Sequence, residues 1–216
     1  MTSRLVAWLA FVGAFIALAY ASRATGGEPA ADVLYQYDTA VAGLVQYAIV
    51  LAIVLWITRG HQRELLALRA PRSWGGAVGW SIAVIVAIYV VSGIAEPFLN
   101  PGEEQGLTPD RWEPDRAGAY AANFLVIAGV TPIVEELMFR GAGYSLLARF
   151  GQLVAIVVTG VTFGLVHGLV EALVVLTAFG IGLAWLRAKT DSVYPCIAVH
   201  SLFNAIALIV AVTVTT

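Results

Sequence analysis

The chain has 216 residues, of which 60% are hydrophobic and 12% charged, with a net charge of −2 and a mean hydropathy of +0.84. A soluble domain carries about one-quarter charged residues, so a water-soluble fold is excluded. With so small a net charge and no arginine interleaved with aromatics in the polar stretches, so is a nucleic-acid surface.

A membrane helix needs about 20 mainly apolar residues. Seven stretches of this kind follow one another: Leu5 to Tyr20, Ala40 to Thr58, Trp74 to Ala95, Ala117 to Phe139, Leu153 to Val170, Ala172 to Leu186, and Val193 to Val214. The expected fold is all-α, a polytopic transmembrane helical bundle of about seven spans. No soluble insert exceeds about 20 residues, so the chain reads as one continuous membrane domain, with N-terminal helices and loops over 1–116 and a core over 117–214.

The first span follows Arg4 and ends on Ala19, Tyr20 and Ala21, a pattern that also fits a cleavable signal peptide; its length favours a retained helix. The linker after the second span carries Arg59, Arg63, Arg69 and Arg72, which places it in the cytoplasm. Alternating from there sets Arg4, Arg149, Arg187 and Lys189 inside. It leaves Arg23, Arg111 and Arg116 outside, among Glu28, Asp32, Glu103, Glu104, Asp110, Glu113 and Asp115. The N-terminus is then cytoplasmic. Trp8, Trp56, Trp74 and Trp112 fall near span ends and read as interfacial anchors.

Ionisable groups inside a bilayer are costly, so each is a functional candidate. The fourth span contains Thr131-Pro132-Ile133-Val134-Glu135-Glu136-Leu137-Met138-Phe139-Arg140-Gly141. Residues at i and i+4 share a helix face, so Glu136 pairs with Arg140. Glu135 is left without a local partner and is the candidate base, since desolvation raises a buried carboxyl toward the range a base needs. Pro132, three residues earlier, frees a backbone carbonyl and is expected to kink the helix. This helix is expected to continue through Tyr144 to Arg149, and Gly141 and Gly143 would permit close helix approach.

The fifth span brings Phe163 and His167, one turn apart. The seventh brings His200 and Asn204, whose imidazole and amide share a face and both donate hydrogen bonds suited to an oxyanion. A carboxylate and an imidazole to hold water, with a donor pair for the tetrahedral intermediate, are what amide hydrolysis requires.

At these residues the sequence resembles the CPBP family of CAAX prenyl endopeptidases and bacteriocin-processing or abortive-infection membrane proteins. The family's Glu-Glu-x-x-x-Arg corresponds to Glu135, Glu136 and Arg140, its Phe-x-x-x-His to Phe163 and His167, and its His-x-x-x-Asn to His200 and Asn204. The order is the same, and the resemblance covers about Ala117 to Val214. It implies an intramembrane protease in which Glu135 and His167 activate water while His200 and Asn204 stabilise the oxyanion. Glu136, Arg140 and Phe163 would support them, in a multi-pass protein of a prokaryotic plasma membrane.

A metal-free mechanism is favoured, because Arg140 accounts for Glu136 and an asparagine beside His200 suits an oxyanion hole. Zinc is the alternative, with Glu135, His167 and His200 as ligands and Glu136 as base. Other readings stay open. Cys196, one turn before His200, would make a thiol transpeptidase. A non-catalytic immunity or binding protein would keep the bundle without turnover, and a transporter would use the same groups as a proton relay. The expected partners are the lipid bilayer and a peptide, lipidated or membrane-protein substrate.

Overall fold

The computed structural model of the chain describes residues 1–26, 32–95, 98–99, 104, 109 and 111–214. Glu28, Glu103 and Asp110, counted above among the outside acids, lie outside the described residues. The apolar stretches fold into α1 (Thr2–Thr25), α2 (Tyr37–Thr58), the short α3 (Gln62–Leu65), α4 (Trp74–Ala95), α5 (Pro114–Phe150), α6 (Gln152–Leu165), α7 (Leu173–Thr190) and α8 (Tyr194–Val214). Among the described residues there is no strand. Six of these helices are long and apolar enough to cross a membrane; α6 is the shorter, apolar seventh.

Of the six, α5 and α7 are the most buried, and α1 and α4 the least. The inner layer is held by glycines. Gly160 on α6 faces the backbone of Ile181 on α7, and Gly180 faces the backbone of Gly160, so neither position has room for a Cβ. α5 runs on to Phe150, beyond its polar cluster, in line with the extension expected from the sequence. Gly141 lies against the backbone of Leu66, at the end of α3, and Gly143 against the ring of Trp8.

That last contact corrects the reading of Trp8 as an interfacial anchor. The side chain is fully buried, and its indole N–H donates to the Met138 carbonyl at 3.0 Å. Because Gly143 lacks a Cβ, the flat ring packs against α5. Trp56 and Trp74 remain exposed, as anchors would be.

The charged residues meet at two ends, sorted as the alternation of spans sorts them. At one end Arg4 bonds His61 and the Arg59 carbonyl, and Asp191 accepts from Arg69 and Arg187. At the other, Arg116 bridges Asp32 and Glu113, and the Glu104 carboxylate accepts from the backbone N–H groups of Val170 and Ala172.

Candidate active site

The polar cluster is mounted on an irregular stretch of α5. Two π-helical turns, Val126–Val130 and Leu137–Gly143, flank a short α-helical stretch, Thr131–Glu136. Such widened turns are uncommon and occur frequently at functional sites. In the first, the Thr131 N–H bonds the Val126 carbonyl five residues back. Continued by one residue, that register pairs the Ile127 carbonyl with position 132, where proline has no N–H to give. Asn204 on α8 fills the role, its side-chain amide donating to the Ile127 carbonyl at 2.9 Å. The carbonyl freed by Pro132 is therefore tied to another helix by one of the N–H bonds expected to serve an oxyanion.

Glu136 and Arg140 are both fully buried and pair at 2.8 Å. Arg140 also donates to the Gly180 carbonyl at 2.8 Å, and its guanidinium lies 4.5 Å from the centroid of the Phe163 ring. The same Glu136 oxygen that takes Arg140 is 2.9 Å from His200 Nδ1. An ionised carboxylate only accepts, so His200 carries its proton on Nδ1 and turns Nε2 away from Glu136.

Nε2 faces Glu135, 3.9 Å from its Oε2. Glu135 takes its partner from another helix: Tyr47 on α2 donates to its Oε1 at 2.7 Å. Its Oε2 has no hydrogen-bond partner among the described residues, and neither do Glu136 Oε2 and Arg140 Nε. A donor role for His200 Nε2 requires a second ring proton there, beside the one on Nδ1.

His167 is not inside a helix. α6 ends at Leu165, and the turn that follows closes on Gly168, whose φ of +68° suits a residue without a Cβ. His167 Nδ1 lies 2.7 Å from the Phe163 carbonyl, which can only accept. Nδ1 is thus protonated, and the lone pair of the neutral ring is on Nε2. Phe163 ties the site together, its ring centroid 4.9 Å from that of His167 and 5.7 Å from that of His200.

The zinc alternative finds no ready ligand set, since among the described residues no three His, Cys, Asp or Glu side chains are grouped to hold a metal ion. Cys196 is fully buried, with its thiol on the Leu183 carbonyl at 3.4 Å rather than on an imidazole. Lone cysteines so placed are inert.

Two members of the constellation were not anticipated, Tyr47 and the Gly180 carbonyl. Tyr47 did carry a signal: it lies in the middle of a span, whereas tyrosines that anchor a helix sit at its ends.

Comparison with known proteins bears on this arrangement. Residues 117–206, which hold all three motifs, match the family described as type II CAAX prenyl endopeptidase Rce1-like. A Bacillus subtilis (strain 168) protein named "Putative membrane peptidase YdiL" is 27% identical over 189 residues, covering 85% of this chain and 76% of the relative. No solved structure matches the chain.

Proposed function

We propose that this multi-pass membrane protein is a CAAX-protease-like membrane peptidase of the family that residues 117–206 match, an endopeptidase in which Glu135 activates water against a peptide bond. The observation that carries the proposal is the opposition of Glu135 Oε2 and His200 Nε2 at 3.9 Å, with the other polar atom of each side chain already bonded. Two groups so held present one acceptor and one donor to the same small space.

Water hydrogen-bonded to Glu135 Oε2 and to His167 Nε2 loses its proton to the carboxylate as its oxygen attacks the scissile carbonyl carbon. Negative charge then grows on the carbonyl oxygen. The His200 Nε2–H, held in place through Nδ1 by Glu136, donates to it, and Arg140 pairs with the same Glu136 oxygen. Glu135 next passes its proton to the leaving amine, the C–N bond breaks, and the base is restored. Asn204 has one amide N–H on Ile127 and offers the other as a second oxyanion donor. No step passes through a metal ion.

The substrate class in this proposal is a peptide, a lipidated polypeptide end or a membrane-protein segment that reaches the site from the bilayer, and the N-terminus faces the cytoplasm. The test is cleavage of a quenched peptide library by purified protein in liposomes, with products read by mass spectrometry. The expected result is turnover by wild type that persists in a chelator and is lost in His200→Ala and Glu135→Ala. Turnover abolished by the chelator and restored by zinc, or unchanged in both variants, would overturn it.

A further inference from the structure

α2 touches the rest of the protein along one stripe. Ala40, Val50, Val54 and Ile57 are buried on it, Gly43 sits where a Cβ would meet Val126 of α5, and Val41, Leu44, Val45 and Ile49 are exposed on the other faces. Tyr47 lies on this stripe, one turn after Gly43, and extends a phenol toward the α-helical stretch of α5 that carries the two glutamates. Its O–H to Glu135 Oε1 distance is 2.7 Å, a short bond of the kind a carboxylate makes. A phenylalanine would fill the same stripe equally well, so packing alone does not account for the hydroxyl.

We propose that Tyr47 is a positioning residue for the base. By holding Oε1 it fixes the rotation of the Glu135 carboxylate, keeps Oε2 on the His200 side, and stabilises the ionised form that accepts the proton from water. The proposal rests on the assignment of Glu135 as base. Tyr47 lies outside residues 117–206, the segment the family match covers. The other titratable or charged groups facing Glu135 are His200 from α8 and, on its own helix, Glu136 and Arg140; His167 joins the cluster through Phe163.

The experiment compares the pH dependence of turnover in wild type and Tyr47→Phe, both in liposomes. Removing a hydrogen bond to a charged group is expected to lower kcat by about 10- to 100-fold with little change in KM. Losing a donor to the ionised carboxylate favours its protonated form, so the acid limb of the profile moves to higher pH by about one unit. Site-specific replacement of Tyr47 by 3-fluorotyrosine, a more acidic phenol of nearly the same shape, moves that limb the other way, and it serves if Tyr47→Phe does not fold. A folded Tyr47→Phe with wild-type kcat and an unmoved acid limb overturns the proposal, as does a limb unmoved by the fluorinated side chain. Glu135→Gln separates the two levels: if it retains turnover, the base assignment falls and this proposal with it, whereas an inactive Glu135→Gln beside a wild-type-like Tyr47→Phe removes only the role of Tyr47.

Discussion

Glu135 and Glu136 are neighbours on one helix, about 100° apart around its axis, and this separation gives them different work. Glu136 is fully buried and uses one oxygen for both Arg140 and His200; Glu135 takes the Tyr47 hydroxyl on Oε1 and turns Oε2 to His200 Nε2. Glu136→Ala removes the charged acceptor from a fully buried guanidinium, which then keeps the Gly180 carbonyl and the Phe163 ring. Breaking a buried pair from one side costs about 3–5 kcal/mol, so the variant is expected to melt well below wild type in detergent, as read by thermal denaturation. A melting temperature equal to wild type would contradict the network. The pairing of Glu136 with Arg140, and the nearness of Phe163 to His167, were legible because each is an i, i+4 relation within one segment. The bonds from Tyr47 to Glu135 and from Asn204 to Ile127 were not, because they depend on the rotation of α2 and α8 against α5, which one segment does not encode.

At the scale of elements, α5 carries the proposed base together with Glu136 and Arg140, on an irregular stretch between two π turns. Its length was readable, since the apolar pattern continues past Arg140 to Leu147. Its two π turns were not, because nothing in local propensity distinguishes a five-residue register from a four-residue one. Pro132 announced a disturbance, and the structure shows its form: a widened turn whose orphan carbonyl is met from α8. The end of α6 moved as well, from the expected Val170 back to Leu165, because Gly168 takes a positive φ and places His167 in a turn. The contact of α6 with α7 is equally dependent on glycine. A Cβ at Gly180 would stand 2.5 Å from the Gly160 carbonyl oxygen and 2.9 Å from its Cα, backbone atoms that yield only if the helices separate. Gly180→Ala is therefore expected to cost about 1–3 kcal/mol of stability, the usual range for overpacking. It is also expected to lower turnover, since the Gly180 carbonyl holds Arg140. Wild-type melting and turnover would show that this approach is not needed.

Across the whole molecule, a carboxylate latches each end of the bundle. Burial pushes the Asp191 carboxyl up, but hydrogen bonds from Arg69 and Arg187 outweigh it and hold it below its ordinary value. At the opposite end burial likewise raises Glu104, and the N–H groups of Val170 and Ala172 with the charge of Arg23 bring it below. A carboxyl held low in the folded chain adds stability above its ordinary range of about pH 4 and loses it as the pH falls through the folded value. The difference in melting temperature between wild type and Asp191→Asn is accordingly expected to be steady from neutral pH to about pH 5 and to shrink below about pH 4. A difference constant throughout would mean that the Asp191 charge contributes nothing. Hydropathy made the helical bundle legible at this scale, and the alternation of spans put Arg4 with Arg59, and Arg69 with Arg187, on one side. The long-range half of what holds the ends together was not visible, because Arg69 and Asp191 are 122 positions apart and Arg116 and Asp32 are 84 apart.

The central claim is that Glu135 is the base of a peptide-hydrolysing site and that its shape alone is not enough. Glu135→Gln keeps the size of the side chain and an oxygen for Tyr47 while removing the charge. Measured side by side with wild type in the same liposomes and on the same peptide, it is predicted to melt close to wild type and to show no turnover. Turnover by folded Glu135→Gln at the wild-type rate would contradict the account.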